Sequence, residues 1–375
     1  MKIHVCLVSA QAAPNLLAAM DPELKPEKVI LVISPKMQTS AKNLTAVLEN
    51  SGIKVRTHQL RDEHDYQSMC EEMLELATEL EGHEVYLNLT GGTKLMSLAS
   101  QEAAGVGDWK RFYVDLDTDQ VIGLEKDAPR PRKLAEKLRL RHYLRSYGFE
   151  TVSSSKTQPT SAEAALIADF CKNTKTWQAS VSKLNFAAQN ANKQGKFNAT
   201  QQLAQHDFAF LIEQCEKVGW LKRVGSDIYF NDRQRCNGGW LELYAMNVIH
   251  KLHGGLGIQD SGTSIEVLDL NSNTKNELDV AFIYRNRLYI IECKTSRLDK
   301  KEDSEGVLES KANDALFKLA SHCRRIGGAG ARGMFLSYRK LSEHEHNLAH
   351  ALNIEVVQEN KLAELESRIK RWVQA

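Results

Sequence analysis

The run Asn276-Glu277-Leu278-Asp279-Val280-Ala281-Phe282-Ile283-Tyr284, then Arg285, Asn286 and Arg287, then Leu288-Tyr289-Ile290-Ile291-Glu292-Cys293-Lys294, decides how the C-terminal part of the chain folds. Both outer segments are dense in β-branched and aromatic residues, and the polar triplet between them is what a tight hairpin requires. Alternation along a strand puts Glu292 and Lys294 on one face and Cys293 on the other. Asp279 joins that face only if the turn is even. A two-residue loop at Arg285 and Asn286 sets Asp279 opposite Glu292; one at Asn286 and Arg287 sets it opposite Lys294. A three-residue loop without a bulge turns it away.

Two carboxylates and an ammonium on neighbouring strands have a definite chemistry. Asp279 and Glu292 supply hard oxygen ligands for Mg²⁺ or Mn²⁺, ions that keep several waters and take further oxygens from a phosphate. Such an ion activates a water and neutralises charge on a scissile phosphodiester, and Lys294 adds a cation beside that charge. The backbone carbonyl of Cys293 can add another ligand. Glu-x-Lys by itself is common on solvated sheet faces. Here it follows Leu288, Tyr289, Ile290 and Ile291, which are too apolar for a fully wet strand. Upstream, Gly239-Trp240-Leu241-Glu242-Leu243 opens a helix continued by Tyr244, Met246 and Ile249, with Glu242 its single acid.

Gly-x-x-Glu on a helix, then Asp, then Glu-Cys-Lys on a hairpin resembles the PD-(D/E)xK nuclease superfamily. Its core of helix, three strands, helix and strand maps onto Trp240 to about Tyr338. The resemblance implies that Asp279 and Glu292 hold the metal, that Lys294 is the catalytic lysine and that Glu242 is the first-helix acid. Leu278 stands where the superfamily often has proline.

With 375 residues the chain has room for roughly two or three domains. Its net charge of +1 means that nucleic acid would be held by local patches, for which Arg285, Arg287, Arg297, Lys300, Lys301 and Lys311 are candidates. Seven scattered cysteines without a Cys-x-x-Cys pair point to reduced thiols and a cytoplasmic protein. The N-terminal apolar run is short and broken by His4, so it reads as a strand rather than a signal peptide. No run approaches transmembrane length, and no membrane partner is expected.

From Ile3 to Leu124, β-branched runs alternate with helical patterns. Ile3 to Val8, Val29 to Ile33, Val55 to Leu60, Val85 to Leu89 and Phe112 to Asp115 read as strands; Gln38 to Asn50, Asp65 to Glu81 and Lys94 to Ala104 read as helices. This α/β order predicts a Rossmann-like, mostly parallel sheet with ligands beyond its carboxyl strand ends. Those ends carry Ser9, Gln11 and Asn15; Ser34 and Lys36; and Thr90-Gly91-Gly92-Thr93-Lys94. The two glycines allow close backbone approach, the helix start offers free N–H groups, and Lys94 adds charge, so a phosphate-bearing guest is expected. It is neither a Walker A loop nor a G-x-G-x-x-G fingerprint.

Asn88-Leu89-Thr90-Gly91-Gly92-Thr93-Lys94-Leu95-Met96, with the Ser9 and Gln11 loop, resembles the CARF (CRISPR-associated Rossmann fold) sensor domain over roughly the first 145 residues. That resemblance implies a cyclic oligoadenylate ligand bound across a homodimer, a ring with a two-fold axis suiting a C2 pair. The full order resembles the cyclic tetra-adenylate-activated nucleases of type III CRISPR systems, which act in antiviral defence on DNA and, in some members, RNA.

Three segments are expected: 1–148 as the sensor, closed by a helix from Leu134 to Tyr147; 149–235 as a winged-helix-like connector; and 236–375 as a restriction-endonuclease-like α/β domain. In the connector, helices run to Glu216, followed by a hairpin around Gly225 and Ser226. Asp207, Glu213 and Glu216 on its last helix argue against duplex binding there. The competing reading is a cyclic-nucleotide-responsive DNA-binding transcription regulator with an inactive nuclease domain. His346 and His350 have a zinc-compatible spacing but lack the glutamate of H-E-x-x-H, so a solvated helix face is expected.

Overall fold

The computed structural model describes residues 1–135, 138–296, 300–302 and 308–374. Arg297 lies outside the described residues, as do the side chains of Lys300 and Lys301.

Five parallel strands open the chain: β1 (Lys2–Leu7), β2 (Lys28–Ile33), β3 (Lys54–Gln59), β4 (Glu84–Asn88) and β5 (Lys110–Asp115). Antiparallel β6 (Gln120–Gly123) and β7 (Arg132–Lys133) extend one edge, giving the order β3-β2-β1-β4-β5-β6-β7. Alternation sorts the core. Ile3, Val5 and Leu7 pack with Met69, Met73, Ala99 and Ala103 on one face. Cys6, Val29 and Leu31 pack with Leu16, Leu17, Leu44 and Leu48 on the other. Helices on both faces make this the doubly wound sheet expected.

The expected helix from Leu134 to Tyr147 is shorter, running only over Leu140–Ser146. Tertiary hydrogen bonds displace its first turns. The Ala135 N–H is held by Asp21 Oδ2 at 3.0 Å and the Leu140 N–H by Asp260 Oδ2 at 3.0 Å, with Arg139 extended between them at φ −117°. Next comes β8 (Phe149–Ser155), at the start of the segment expected as a connector; it pairs instead with the C-terminal sheet.

The middle segment holds helices Ser161–Lys172, Thr174–Gln189 and His206–Lys217 beside a small sheet of β9 (Lys196–Asn198), β10 (Leu221–Val224) and β11 (Asp227–Phe230) in the order β10-β11-β9. β9 interrupts the expected run of helices. Asn192 Oδ1 accepts from the N–H groups of Gln194 and Lys196, and Gly195 takes φ +73°, so the chain turns there.

After helix Trp240–Leu256 come β12 (Asp260–Asp269), β13 (Thr274–Tyr284), β14 (Arg287–Lys294), the short pair β15 (Lys300–Glu302) and β16 (Leu308–Ser310), helix Lys311–Gly327, β17 (Arg332–Ser337) and β18 (Ile354–Gln358). The six-stranded sheet reads β18-β17-β14-β13-β12-β8. The β13–β14 turn is the two-residue one at Arg285 and Asn286, both left-handed at φ 45° and 55°, with Tyr284 facing Arg287. This is the I′ geometry that matches strand twist.

Two apolar layers sandwich this sheet. On one side Trp240, Leu241, Met246 and Ile249 pack with Phe170 and Phe208 of the middle segment. On the other, Leu278, Ala281, Ile290, Leu316 and Leu319 are continuous, through Leu140 and Leu144, with Leu16 and Leu44 of the N-terminal domain.

Candidate functional site

The β13–β14 ladder ends at Val280 paired with Ile291. One step further, Asp279 and Glu292 are the next facing residues, and the strands part. β14 continues alongside β17, pairing Glu292, Cys293 and Lys294 with Phe335, Leu336 and Ser337. Instead of a ladder bond, the Cys293 N–H donates to Asp279 Oδ2 at 2.7 Å. The split fixes Asp279 beside the Glu-Cys-Lys segment.

Glu292 is 1% exposed, and Lys294 Nζ stands 2.5 Å from its Oε1. Lys294 engages Oε1, and Oε2 accepts no hydrogen bond among the described residues. A buried carboxyl group with an unpartnered oxygen is a demanding group. The Cys293 thiol packs among apolar neighbours, and burial holds it well above its ordinary pKa.

Glu242 reaches the same place from helix Trp240–Leu256, assisted by a bulge in β12. Ser264 there takes φ 46°, and its hydroxyl donates to Glu242 Oε2 at 3.1 Å. Burial, reinforced by the negative charge of Asp279, pushes the Glu242 carboxyl up to about 8. Asp279 is also raised, first by burial and then by Glu292. Burial alone would lower Lys294, but Glu292 and Asp279 outweigh it and hold the ammonium above its usual range. Three acids thus share one lysine at the split.

Among the described residues, no trio of His, Cys, Asp or Glu side chains is gathered tightly enough to cage an ion. Two carboxylates with an unsatisfied lone-pair set suit an ion that keeps much of its water, as Mg²⁺ and Mn²⁺ do, rather than a closed zinc site. A cavity of about 270 Å³, lined by Glu242, Ser264, Thr263, Ser155 and Arg235, opens beside Glu242.

The raised acid has a measurable consequence. A carboxyl near 8 when folded and about 4.5 when unfolded binds more protons in the native state between those values, so stability falls as pH rises through that window. Metal-free protein should melt lower at about pH 8 than at about pH 5.5, and Glu242→Gln should flatten this slope in thermal melts. An equally steep slope in the variant would place the proton uptake elsewhere.

At the carboxyl ends of β2, β1 and β4 three loops adjoin where the strand order reverses. Gly91 approaches the first-strand loop so closely that a Cβ there would lie 2.1 Å from the Leu7 carbonyl oxygen and 3.6 Å from Ser9 Oγ. Gly92 is left-handed at φ +74°, and Thr93 caps the helix by accepting the Met96 N–H at 3.2 Å. Thr90 Oγ1 donates to Asn88 Oδ1 and accepts the Val114 N–H, both at 2.7 Å.

Residues 3–143 match a family model described as the Card1 CARF domain, and residues 231–375 match one described as the Card1-like endonuclease domain. The chain belongs to the Card1-like proteins, a CARF domain joined to an endonuclease domain. Protein VC1899 from Vibrio cholerae shares its fold at TM-score 0.87 and 20% identity, over 100% of this chain and 98% of that one. Can2 from Sulfobacillus thermosulfidooxidans, solved in complex with cyclic tetra-adenylate, gives 0.80 at 24% identity over 100% of both chains. A type III CRISPR defence DNA nuclease activated by cyclic oligoadenylate gives 0.58 at 19% identity, over 89% of this chain and 45% of that one. No curated protein matches the chain.

Within the CARF domain the residues singled out from sequence separate. Ser9, Thr90, Gly91, Gly92 and Thr93 gather around one point, with Lys94 exposed beside them. Asn15 is buried; its carboxamide donates to Leu7 O and accepts from Asn88 Nδ2, both at 2.9 Å, inside the fold. Ser34 is buried at the end of β2, and Lys36 pairs with Glu63. The Gln11 side chain turns toward the endonuclease domain, accepting from the Tyr147 hydroxyl at 3.3 Å and covering Gly328.

In the endonuclease domain, Lys318 and His322 were not anticipated. They stand one turn apart on helix Lys311–Gly327, and the field of Lys318 reaches Asp279 while that of Glu292 reaches His322. His322 is buried with Nδ1 unpartnered among the described residues; burial first, then Lys318, hold it down at about 4. A basic pair spaced i, i+4 on the helix after an acidic strand was the available signal.

Proposed function

We propose that this chain is a divalent-metal-dependent endonuclease, hydrolysing phosphodiester bonds in DNA and in some contexts RNA, that a cyclic oligoadenylate, preferentially the tetra-adenylate ring, switches on. The observation that carries the chemistry is Glu292, buried beside Lys294 and with Oε2 accepting no hydrogen bond among the described residues. Asp279, Glu292 and the Cys293 carbonyl would hold Mg²⁺ or Mn²⁺. When bound, the ion supplies an activated water and neutralises charge on the phosphate.

The chain's own groups do the rest. Lys294 keeps its proton and sets a positive charge against the developing phosphorane. Glu242, fixed by Ser264, can hydrogen-bond the attacking water and hold or release a proton near neutral pH. The Cys293 N–H orients Asp279 so that its second oxygen can serve as a ligand. Lys311, exposed at the start of helix Lys311–Gly327, supplies a cation for a phosphate backbone, whereas Arg285 and Arg287 sit at the far end of the hairpin, where Arg287 is bonded to Leu116 O and Asp117.

For the ligand, Ser9, Thr90 to Lys94 and the backbone N–H groups of the Gly-Gly turn offer a phosphate-binding surface. The adenylate ring bound to Can2 supports this choice of guest. Leu95, Leu98 and Val106 form an exposed apolar stripe on the helix that follows; Leu98 is 57% and Val106 75% exposed. Such a face beside the pocket supports a C2 homodimer that sandwiches the ring.

The test is a cleavage panel of single- and double-stranded DNA and RNA in Mg²⁺ or Mn²⁺, with and without cyclic tri-, tetra- and hexa-adenylate, with light scattering to read the mass. A dimer whose cleavage rises at least about tenfold with the tetra-adenylate is expected. Equal rates with and without any ring would remove the regulatory half, and no cleavage under any condition would remove the enzymatic half.

A further inference from the structure

Asp119, Asn286 and Gln259 are three buried polar side chains from separate parts of the chain, 7%, 4% and 7% exposed. Asp119 lies in the β5–β6 turn of the CARF domain, Asn286 is the second residue of the catalytic hairpin's turn, and Gln259 precedes β12. Asn286 Nδ2 donates to both Asp119 carboxylate oxygens, at 2.9 and 3.1 Å. Gln259 Nε2 donates to Asn286 Oδ1 at 2.8 Å, and its Oε1 accepts the Asn286 backbone N–H at 2.7 Å. Arg287 adds bonds to Leu116 O at 3.3 Å and Asp117 Oδ1 at 3.2 Å.

Every polar atom of the Asn286 carboxamide is engaged, and a buried group so completely satisfied holds its element in one place. That element is the turn whose strands carry Asp279 and Glu292. The other end of the bridge is tied to the ligand pocket: Thr90 Oγ1 accepts the Val114 N–H of β5, and β5 runs directly into the Asp119 turn. A covalent and hydrogen-bonded track therefore runs from the Gly-Gly loop through β5 and Asp119 to Asn286. From Asn286, β13 reaches Asp279 over about 20 Å at ~3.4 Å per residue.

We propose that Asp119, Asn286 and Gln259 form a positioning clamp through which ligand at the Thr90 loop sets the placement of the catalytic hairpin. None of the three touches the reacting atoms, and the proposal rests on the functional reading above. It assigns the coupling to a specific interdomain contact that requires no movement of the middle segment.

The test uses the full-length chain. Asn286→Gly removes the whole side chain, carboxamide included, while glycine keeps the left-handed turn. Asp119→Gly does the same on the CARF side, where φ is 56°, and Asp119→Asn retains an acceptor. The glycine variants should lose turnover by roughly tenfold with KM for nucleic acid unchanged, and the rate increase on adding cyclic tetra-adenylate should shrink in proportion. Asp119→Asn should recover most of both. Hydrogen exchange of amides 274–294 should quicken in Asp119→Gly, although that substitution lies in the other domain. Wild-type kcat and activation in Asn286→Gly would overturn the clamp, as would unchanged hairpin exchange in Asp119→Gly. If the wild-type protein neither cleaves nor responds to the ring, the functional reading fails on its own; the exchange measurement still decides whether the clamp exists.

Discussion

Changing Glu292 to glutamine should leave a folded protein that cleaves at least about a thousandfold more slowly in Mg²⁺ or Mn²⁺, a loss of ~4 kcal/mol of transition-state stabilisation. The substitution keeps the side chain's shape and volume, so Ile290 and Phe335 on the same face need not repack. It removes the charge that a hard cation needs and leaves Lys294, one third exposed, free to turn toward water. Metal binding supplies a second reading of the same prediction. An ion that binds the native state alone raises its melting temperature, so Mn²⁺ should stabilise the wild-type protein and fail to stabilise Glu292→Gln. Retained cleavage, or equal stabilisation by Mn²⁺ in both proteins, would move the metal site away from the hairpin.

The second large effect is expected at Gly91. A methyl group there would sit 2.1 Å from the Leu7 carbonyl oxygen, a fixed backbone atom at the end of a central strand. The loop must therefore shift by more than an ångström, carrying Thr90, Gly92 and the helix start with it. Affinity for cyclic tetra-adenylate should fall at least about a hundredfold in calorimetric titration, equivalent to ~2.7 kcal/mol. Gly254→Ala is the matched control, since a Cβ at that helical glycine meets nothing within 4 Å and should leave ring binding intact. Unaltered affinity in Gly91→Ala would show that the ring binds elsewhere.

The hairpin that carries Asp279 and Glu292 was legible in the sequence because several local signals agree: period-two strands, a polar turn, and two residues able to occupy left-handed backbone. Parity of the turn then puts Asp279 on the face of Glu292 and Lys294, and the Arg285–Asn286 turn seen in the structure is what sets it against Glu292 rather than Lys294. The doubly wound sheet was legible for a similar reason, its strands and helices each satisfying their own periodicity. Failures came where distant partners decide. Residues before Leu140 read as helix, yet Asp21 and Asp260 hold their N–H groups in extended geometry. Phe149–Ser155 gains its place from a bulged pairing with β12, more than a hundred residues on. Ser264 is directed at Glu242 by that irregular strand, which no alternation rule anticipates. Gln11 and Asn15 have the right chemistry for a ligand loop but are used in the fold, one against Tyr147 and Gly328, the other beneath β1 and β4.

The apolar layer that runs from Leu16 through Leu144 to Ile290 bears on modularity. Excising the first 140 or so residues would strip one wall from the second half and leave a bare, aggregation-prone surface. Swapping sensors between such proteins should succeed only when helix Leu140–Ser146 and its partners on both sides travel as a unit, so this molecule's recombination boundary lies inside a packed seam rather than in a linker.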